Sequence, residues 1–338
     1  MKCGTAWIMA GLFAGCLHAQ DADLFFAGRA QLLLDPSRAG FGPGGRITLM
    51  HQDQWLQMPG AWRNDLLAAE WNLRNRHKAV GSWLGVGLLA AQDRQPDGAL
   101  RGTALGVLPT IHLRSGRRSF LSAGLHVRWG SIAQGDLDGA WGSQYDGVQY
   151  DPSLPSGERF STGQASRLEA RAGLSFTLKN DAESRFRRER NILVAGVAAD
   201  HLGRLVLREE GTPPAAAPMR FNAYAMAELP HEIWDNGFFA GEVIGQLQGP
   251  FRTGRVNIYA GKDLLNRTRS AGGPALLGFK AGLGWQVGNA LLANAALDWG
   301  STTFGVAYGW AMFNTDAAVA GRRTVEVLLQ VRFAGGAE

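Results

Sequence analysis

Ser119-Phe120-Leu121-Ser122-Ala123-Gly124-Leu125-His126-Val127-Arg128-Trp129 alternates apolar with small or polar side chains along most of its length. Leu121, Ala123, Leu125, Val127 and Trp129 share one face of an extended chain, while Ser122, Gly124, His126 and Arg128 share the other, because strand side chains point to opposite faces in turn. One such segment fits any half-buried strand. Fourteen fit the template, at 45–56, 65–74, 81–91, 102–114, 119–130, 166–178, 191–201, 219–229, 237–247, 254–262, 275–287, 290–299, 302–313 and 322–333. The pattern predicts an all-β fold, a transmembrane antiparallel β-barrel of about 14 strands over 45–333, since an even number of strands closes a bacterial barrel. A soluble sandwich or propeller is the other all-β solution. No blade-length repeat is visible, and the apolar rows are too numerous for a half-buried sheet.

Register follows from the charges. In 166–178, Leu168, Ala170, Ala172, Leu174, Phe176 and Leu178 are expected to face lipid, with Arg167, Glu169, Arg171, Ser175 and Thr177 inside. In 322–333, Val325, Val327, Leu329, Val331 and Phe333 face lipid, and Thr324, Glu326, Gln330 and Arg332 face the lumen. A charge on the lipid face near the midplane costs about 2–4 kcal/mol, so a one-residue slip is excluded there.

The ends frame the barrel. Lys2, the apolar run Ala6–Leu17 and the small residue Ala19 read as a signal peptide over 1–19, too short to span a bilayer as a helix. Phe13-Ala14-Gly15-Cys16 supplies a second reading, a lipoprotein box that would leave Cys16 lipid-bearing. Both cysteines, Cys3 and Cys16, lie in this leader, so no disulfide is expected in the mature chain. Residues 20–44 form an N-terminal segment at the periplasmic mouth or in the lumen, and 334–338 a short tail. Leu24, Phe25, Phe26, Leu32, Leu33 and Leu34 suit either placement.

If the first strand rises from the periplasm, the two longest connections, 131–165 and 202–218, fall outside the cell, as barrels favour. Lys179–Arg190, dense in both charges, falls inside and reads as a solvated turn. The net charge of +5 does not imply nucleic acid, because the basic residues are scattered and no aromatic and basic platform accompanies them.

No enzymatic chemistry and no cofactor is expected. Gly40-Phe41-Gly42-Pro43-Gly44-Gly45 has dinucleotide-type spacing but precedes a strand instead of a helix. His231-Glu232 begins a zincin-like string whose second histidine position is Asp235. No serine has the glycine spacing of a nucleophile elbow. His51, His112, His126 and His201 are expected to be polar lumen residues.

Two stretches carry a resemblance. Leu34-Asp35-Pro36-Ser37-Arg38-Ala39-Gly40 is similar to an Asn-Pro-Ala-Tyr-Ala-Gly element, and His51-Gln52-Asp53-Gln54-Trp55-Leu56-Gln57-Met58-Pro59-Gly60-Ala61 resembles an Arg-Asn-Gln-Trp…Pro-Gly-Ala string. Both occur, in this order, in the PorP/SprF family of type IX secretion system membrane proteins. Gly85-Val86-Gly87-Leu88, Ala195–Leu202, Val306-Ala307-Tyr308 and Thr324–Phe333 resemble later elements of that family. Asp35, Arg38, Trp62 and Val325 depart from it, standing where the family has asparagine, tyrosine, proline and histidine. The family-motif residues carried over are Asp35, Pro36, Ala39, Gly40, Gln54, Trp55, Pro59, Gly60 and Ala61.

The resemblance implies a non-catalytic outer-membrane barrel of a Gram-negative, Bacteroidota-like bacterium, of the kind tied to gliding motility and protein secretion. Its partners would be outer-membrane lipid, type IX machinery subunits, and secreted cargo such as adhesins with a C-terminal sorting domain. A solute channel is the alternative, with Glu169, Arg171, Glu228, Glu242, Lys280 and Arg332 lining the lumen. Read on their own chemistry, Asp35-Pro36 starts a turn, Gly40–Gly45 lets the chain bend into the first strand, Trp55 suits an interfacial belt, and Pro59-Gly60 makes the first hairpin.

Overall fold

The computed structural model describes residues 24–26, 28–56, 61–73, 81–95, 100–134, 144–145, 149, 151, 153–154, 163–179, 191–211, 217–230, 237–265, 277–287, 290–312 and 323–333. The leader, Pro59-Gly60, residues 180–190, His231-Glu232 and the tail lie outside them.

Among the described residues, fourteen antiparallel strands close into one barrel. They are β1 (Gly45–Gln54), β2 (Trp62–Asn72), β3 (Ser82–Arg94), β4 (Leu100–Arg114), β5 (Ser119–Gln134), β6 (Gly163–Lys179), β7 (Asn191–Gly211), β8 (Arg220–Pro230), β9 (Gly237–Gln248), β10 (Phe251–Leu265), β11 (Leu277–Gln286), β12 (Ala290–Trp299), β13 (Thr302–Ala311) and β14 (Arg323–Phe333). Each pairs with its sequence neighbour, and β1 closes on β14 with Gly45 opposite Phe333. Both ends of the barrel chain therefore meet at one rim, here called the terminal rim. No described helix is long and apolar enough to cross a membrane; the strands take that role.

Side-chain parity follows the sequence. Leu121, Leu125, Val127, Leu174 and Val327 are exposed on the outer surface, while Ser122, His126, Arg171, Ser175, Thr177, Glu326 and Gln330 are buried inside. All fourteen expected strands form, with shifted bounds. The largest shift corrects one connection: residues 202–211, expected as loop, continue β7 as strand paired with β6. A bulge lets this happen, because Ala170 pairs with Gly203 and Ala172 with Ala199, leaving the 200–202 segment opposite Arg171 alone. His201 sits there at φ +57, a left-handed conformation that costs a non-glycine residue about 1–2 kcal/mol.

A second correction concerns His51. Thr48, Met50 and Gln52 bury the inner face of β1, so parity places His51 on the outer face with Asp53 and Asp65. Its Nδ1 lies 2.7 Å from Asp65 and its Nε2 3.2 Å from Asp53. His112, His126 and His201 do face inward.

Candidate functional site

The lumen holds the chain's own N-terminal segment. Residues 24–44 carry one helical turn, α1 (Gln31–Leu34), and one 3₁₀ turn at Pro36–Arg38. Leu24, Phe25, Phe26, Ala30, Leu32 and Ala39 form one buried cluster with Met50, Leu66, Ala68, Leu89, Leu108, Leu292, Ala307 and Leu328 of the barrel wall. Leu34 packs in a second with Val194, Tyr224 and Ile244. Each large side chain so buried is worth about 1.5–3 kcal/mol, which holds a short segment that has little regular structure of its own.

Polar anchors then fix its register. Asp35 is extended, at φ −154 and ψ 119, as the residue before a proline prefers. Its Oδ1 accepts the Ser37 backbone N–H at 2.7 Å and caps the 3₁₀ turn, while its Oδ2 accepts the Tyr224 hydroxyl at 2.8 Å. The Ser37 and Ser175 hydroxyls are 2.7 Å apart, Arg38 Nη1 donates to Thr177 at 2.6 Å, and Thr110 donates to the Pro36 carbonyl at 3.0 Å. His112 Nε2 donates to the Ala39 carbonyl at 2.9 Å, and its Nδ1 lies 2.7 Å from the Ser122 hydroxyl. Because a carbonyl can only accept, the Nε2 proton is fixed by this contact. The Gly40 N–H donates to Glu70 at 2.8 Å, and Gly40 turns the chain at φ +67.

The segment lies tight against the wall. A Cβ on Gly85 would collide with the Ala39 carbonyl, and one on Gly173 with the Asp35 carboxylate. These positions need glycine because another chain segment approaches closely. Further from the terminal rim, Glu326 accepts the Phe25 and Phe26 N–H groups at 2.6 and 2.7 Å and a Gln52 amide proton at 2.8 Å. Arg171 donates to the Leu32 carbonyl at 3.4 Å and to the Leu33 carbonyl, and it pairs with Asp200. Near the terminal rim Phe41 packs with Trp83, His112 and Phe120 at ring separations of 5.3–5.8 Å, and the Arg38 guanidinium lies over its face at 4.5 Å. Burial raises the Asp35 carboxyl above its ordinary value, against the opposing effects of the Ser37 N–H, the Tyr224 hydroxyl and Arg171. Burial likewise lowers the Arg38 guanidinium, against Tyr224 and Asp35.

Some of the sequence elements singled out earlier come together around this segment. Asp35, Pro36, Ala39 and Gly40 are buried in the lumen, Gly85 and Gly87 face Ala39, and Gly196 faces the Asp35 and Tyr224 oxygens. Gln54 reaches the same network at one remove, through a 2.6 Å bond to Gln52. Trp55 stays apart, at φ +64 and edge-on to Trp62 at 5.7 Å, and Ala61 lies beside Trp62. Sequence reasoning did not mark Tyr224, Glu70, Ser175 or Thr177 as anchors. No local spacing reveals partners as distant as 189 residues.

Among the described residues, two charged spaces lie beside the segment. One of about 190 Å³ is lined by Arg128, Arg167, Glu169, Arg171, Asp200 and His201; the other, of about 270 Å³, by Arg29, Arg46, Glu228, Glu242, Lys280 and Arg332. None of the described residues lines both. Their charges are coupled: Arg128 and His201 meet Glu169, Arg171 meets Asp200, Arg46 meets Glu70, Lys280 lies 3.8 Å from Glu228, and Arg332 lies 3.1 Å from Asp298. No group of three or more metal-ligating side chains occurs among the described residues.

Fold and site together define an internally plugged β-barrel of the outer-membrane class. The sequence comparison narrows this further: residues 19–330 match the family model of the type IX secretion system membrane protein PorP/SprF, and the chain belongs to that family. No curated protein matches the sequence. Among solved structures, a mutant of the TodX monoaromatic hydrocarbon channel superposes at a TM-score of 0.54 with 10% identity, covering 90% of this chain and 95% of that one. A second TodX mutant gives 0.50 with 11% identity over 90% and 94%. The Ralstonia pickettii toluene transporter TbuX gives 0.48 with 14% identity over 90% and 93%. At such identities the likeness concerns the barrel architecture alone.

Proposed function

We propose that this chain is a non-catalytic accessory barrel of the type IX secretion system in the cell outer membrane, and that it helps partner proteins with a C-terminal sorting domain to be exported or anchored at the surface. The supporting observation is the filled lumen. A barrel whose interior is packed with its own residues 24–44 offers partners its rims and outer surface instead of a conduit. Family membership supports the link to the machinery. In this reading the terminal rim faces the periplasm, and the opposite rim, with the long extensions of β5, β6 and β7, faces outward. The test is deletion of the gene followed by quantification of sorting-domain proteins on the cell surface. Their loss, reversed by the intact gene, is the expected outcome; unchanged surface levels would refute it.

A solute channel is the second reading, favoured by the two charged spaces beside the segment. It requires the segment to leave or shift. A deletion strain that keeps its surface proteins but takes up a charged solute more slowly would favour it.

A further inference from the structure

Toward the rim away from the chain ends, the outer wall of β1–β5 is layered. On β4 the outward residues Leu105, Val107, Pro109, Ile111 and Leu113 are all apolar and exposed. At about 3.4 Å per residue and a tilt of about 40° they span roughly 20 Å, most of an apolar band of about 25 Å. Cross-strand pairing carries the upper edge of this band sideways as Leu49, Leu67, Ala90, Leu105 and Trp129. One step up, the same pairing sets His51, Asp65, Gln92, Thr103 and Ser131 side by side. A further step up, Asp53 stands opposite Arg63, Arg63 opposite Arg94, and Arg94 opposite Arg101.

Three arginines on adjacent strands, each opposite the next, form an unfavourable row, because like charges directly opposite repel. All three are exposed on the outer face, and their neighbours do not neutralise them. Arg63 lies 3.4 Å from Asp53, but that carboxylate is shared with His51 at 3.2 Å. The Asp65 carboxylate also meets His51. Arg94 donates to the neutral Gln92 side chain, and Arg101 forms no ion pair among the described residues. Positive charge is thus concentrated on β3 and β4, roughly 10 Å above the apolar edge at the same rise and tilt, which is headgroup depth. Below the arginines the wall is concave. A groove of about 730 Å³ has Gln92 and Thr103 at its upper end and Leu49, Leu67, Ala90 and Leu105 along its floor.

We propose that this face binds a phosphorylated glycolipid of the outer leaflet, an acylated sugar phosphate of the lipid A class. Its phosphate lies against Arg94 and Arg101, its sugar hydroxyls against Gln92 and Thr103, and an acyl chain in the groove over Ala90. The order of the layers carries the assignment: apolar, neutral polar and cationic rows match acyl chain, sugar and phosphate. Guanidinium groups suit the last, because each presents a planar fork of N–H donors to phosphate oxygens. The proposal rests on the orientation given above, in which this rim faces outward. With the terminal rim outward, the same arginines would meet the phospholipid of the inner leaflet.

The test uses the full chain, delipidated in a neutral detergent, with lipid A as the probe and native mass spectrometry as the readout. Lipid A should bind saturably, and its dephosphorylated form about tenfold more weakly. Arg94→Gln with Arg101→Gln should weaken lipid A binding about tenfold, while heat-modifiable migration shows the barrel still closed. The same loss of charge at Arg117 and Arg118, in the turn between β4 and β5 at the terminal rim, should leave binding unchanged. Phosphatidylglycerol should bind weakly, with or without Arg94 and Arg101. No binding of lipid A, undiminished binding to the Arg94 and Arg101 variant, or equal binding of the dephosphorylated lipid would overturn the proposal. An equal loss from the Arg117 and Arg118 variant would overturn it as well. Phosphatidylglycerol bound as tightly as lipid A, and lost with Arg94 and Arg101, would overturn the glycolipid assignment. Because the readout is lipid binding, it fails or succeeds separately from the surface-display test above.

Discussion

The Tyr224 hydroxyl donates to Asp35 Oδ2 across 2.8 Å, joining the middle of β8 to the N-terminal segment 189 residues away in sequence. This bond fills the second carboxylate oxygen, the first being taken by the Ser37 N–H. Tyr224→Phe would leave a buried acceptor without its donor, at a cost of about 1–3 kcal/mol. The barrel should stay closed while the segment loosens, so limited proteolysis should cut faster at Arg29 and Arg38 without loss of heat-modifiable migration. Unchanged cleavage would show that the bond does not hold the segment.

Gly85→Ala tests the close approach of the segment to β3. The new methyl group would overlap the Ala39 backbone carbonyl, which cannot swing aside as a flexible side chain could. Overpacking of this kind costs about 1–3 kcal/mol. The expected result is faster amide exchange at residues 35–40 with little change in the exchange of β3 itself.

Glu326 anchors the far end of the segment through two backbone N–H groups. Glu326→Ala should orphan both, and the damage should concentrate at Phe25 and Phe26 while the contacts of Asp35–Gly40 persist. Exchange or proteolysis mapped along the segment separates the two ends; a uniform response would mean that they are not independent.

Docking should also depend on pH through Asp35. Its carboxyl is held above the ordinary 3.8 in the folded chain, so the folded state binds the proton more tightly than the unfolded one. The contribution to stability is then full below the ordinary value and is lost as pH rises through the raised one. Acidification from neutral should slow exchange at residues 35–40 beyond the intrinsic chemical effect. Asp35→Asn should abolish that part of the dependence.

The barrel was legible because parity is a local property. Leu121, Ser122, Ala123 and Gly124 fix which face of β5 is which, and the strands repeat the rule. The packed lumen was partly legible too: Leu66-Leu67-Ala68-Ala69, Leu88-Leu89-Ala90-Ala91 and Leu328-Leu329 are apolar on both faces, as strands buried on two sides are. His51 misled because a histidine between glutamine and methionine carries no parity of its own; only the burial of Met50 and Gln52 assigns its face. The extension of β7 was hidden by Gly203 and by the bulge at 200–202, which breaks the two-residue rhythm. Tyr224, Glu70 and Thr177 could not be found as anchors, since their partners are set by closure of the whole barrel.

The claim that the segment seals the lumen is tested most directly by current through single molecules in a planar bilayer. The intact chain should pass almost none, and a chain lacking residues 24–40 should pass an ohmic current. A steady open pore in the intact chain would contradict the seal, and with it the case for an accessory barrel over a channel.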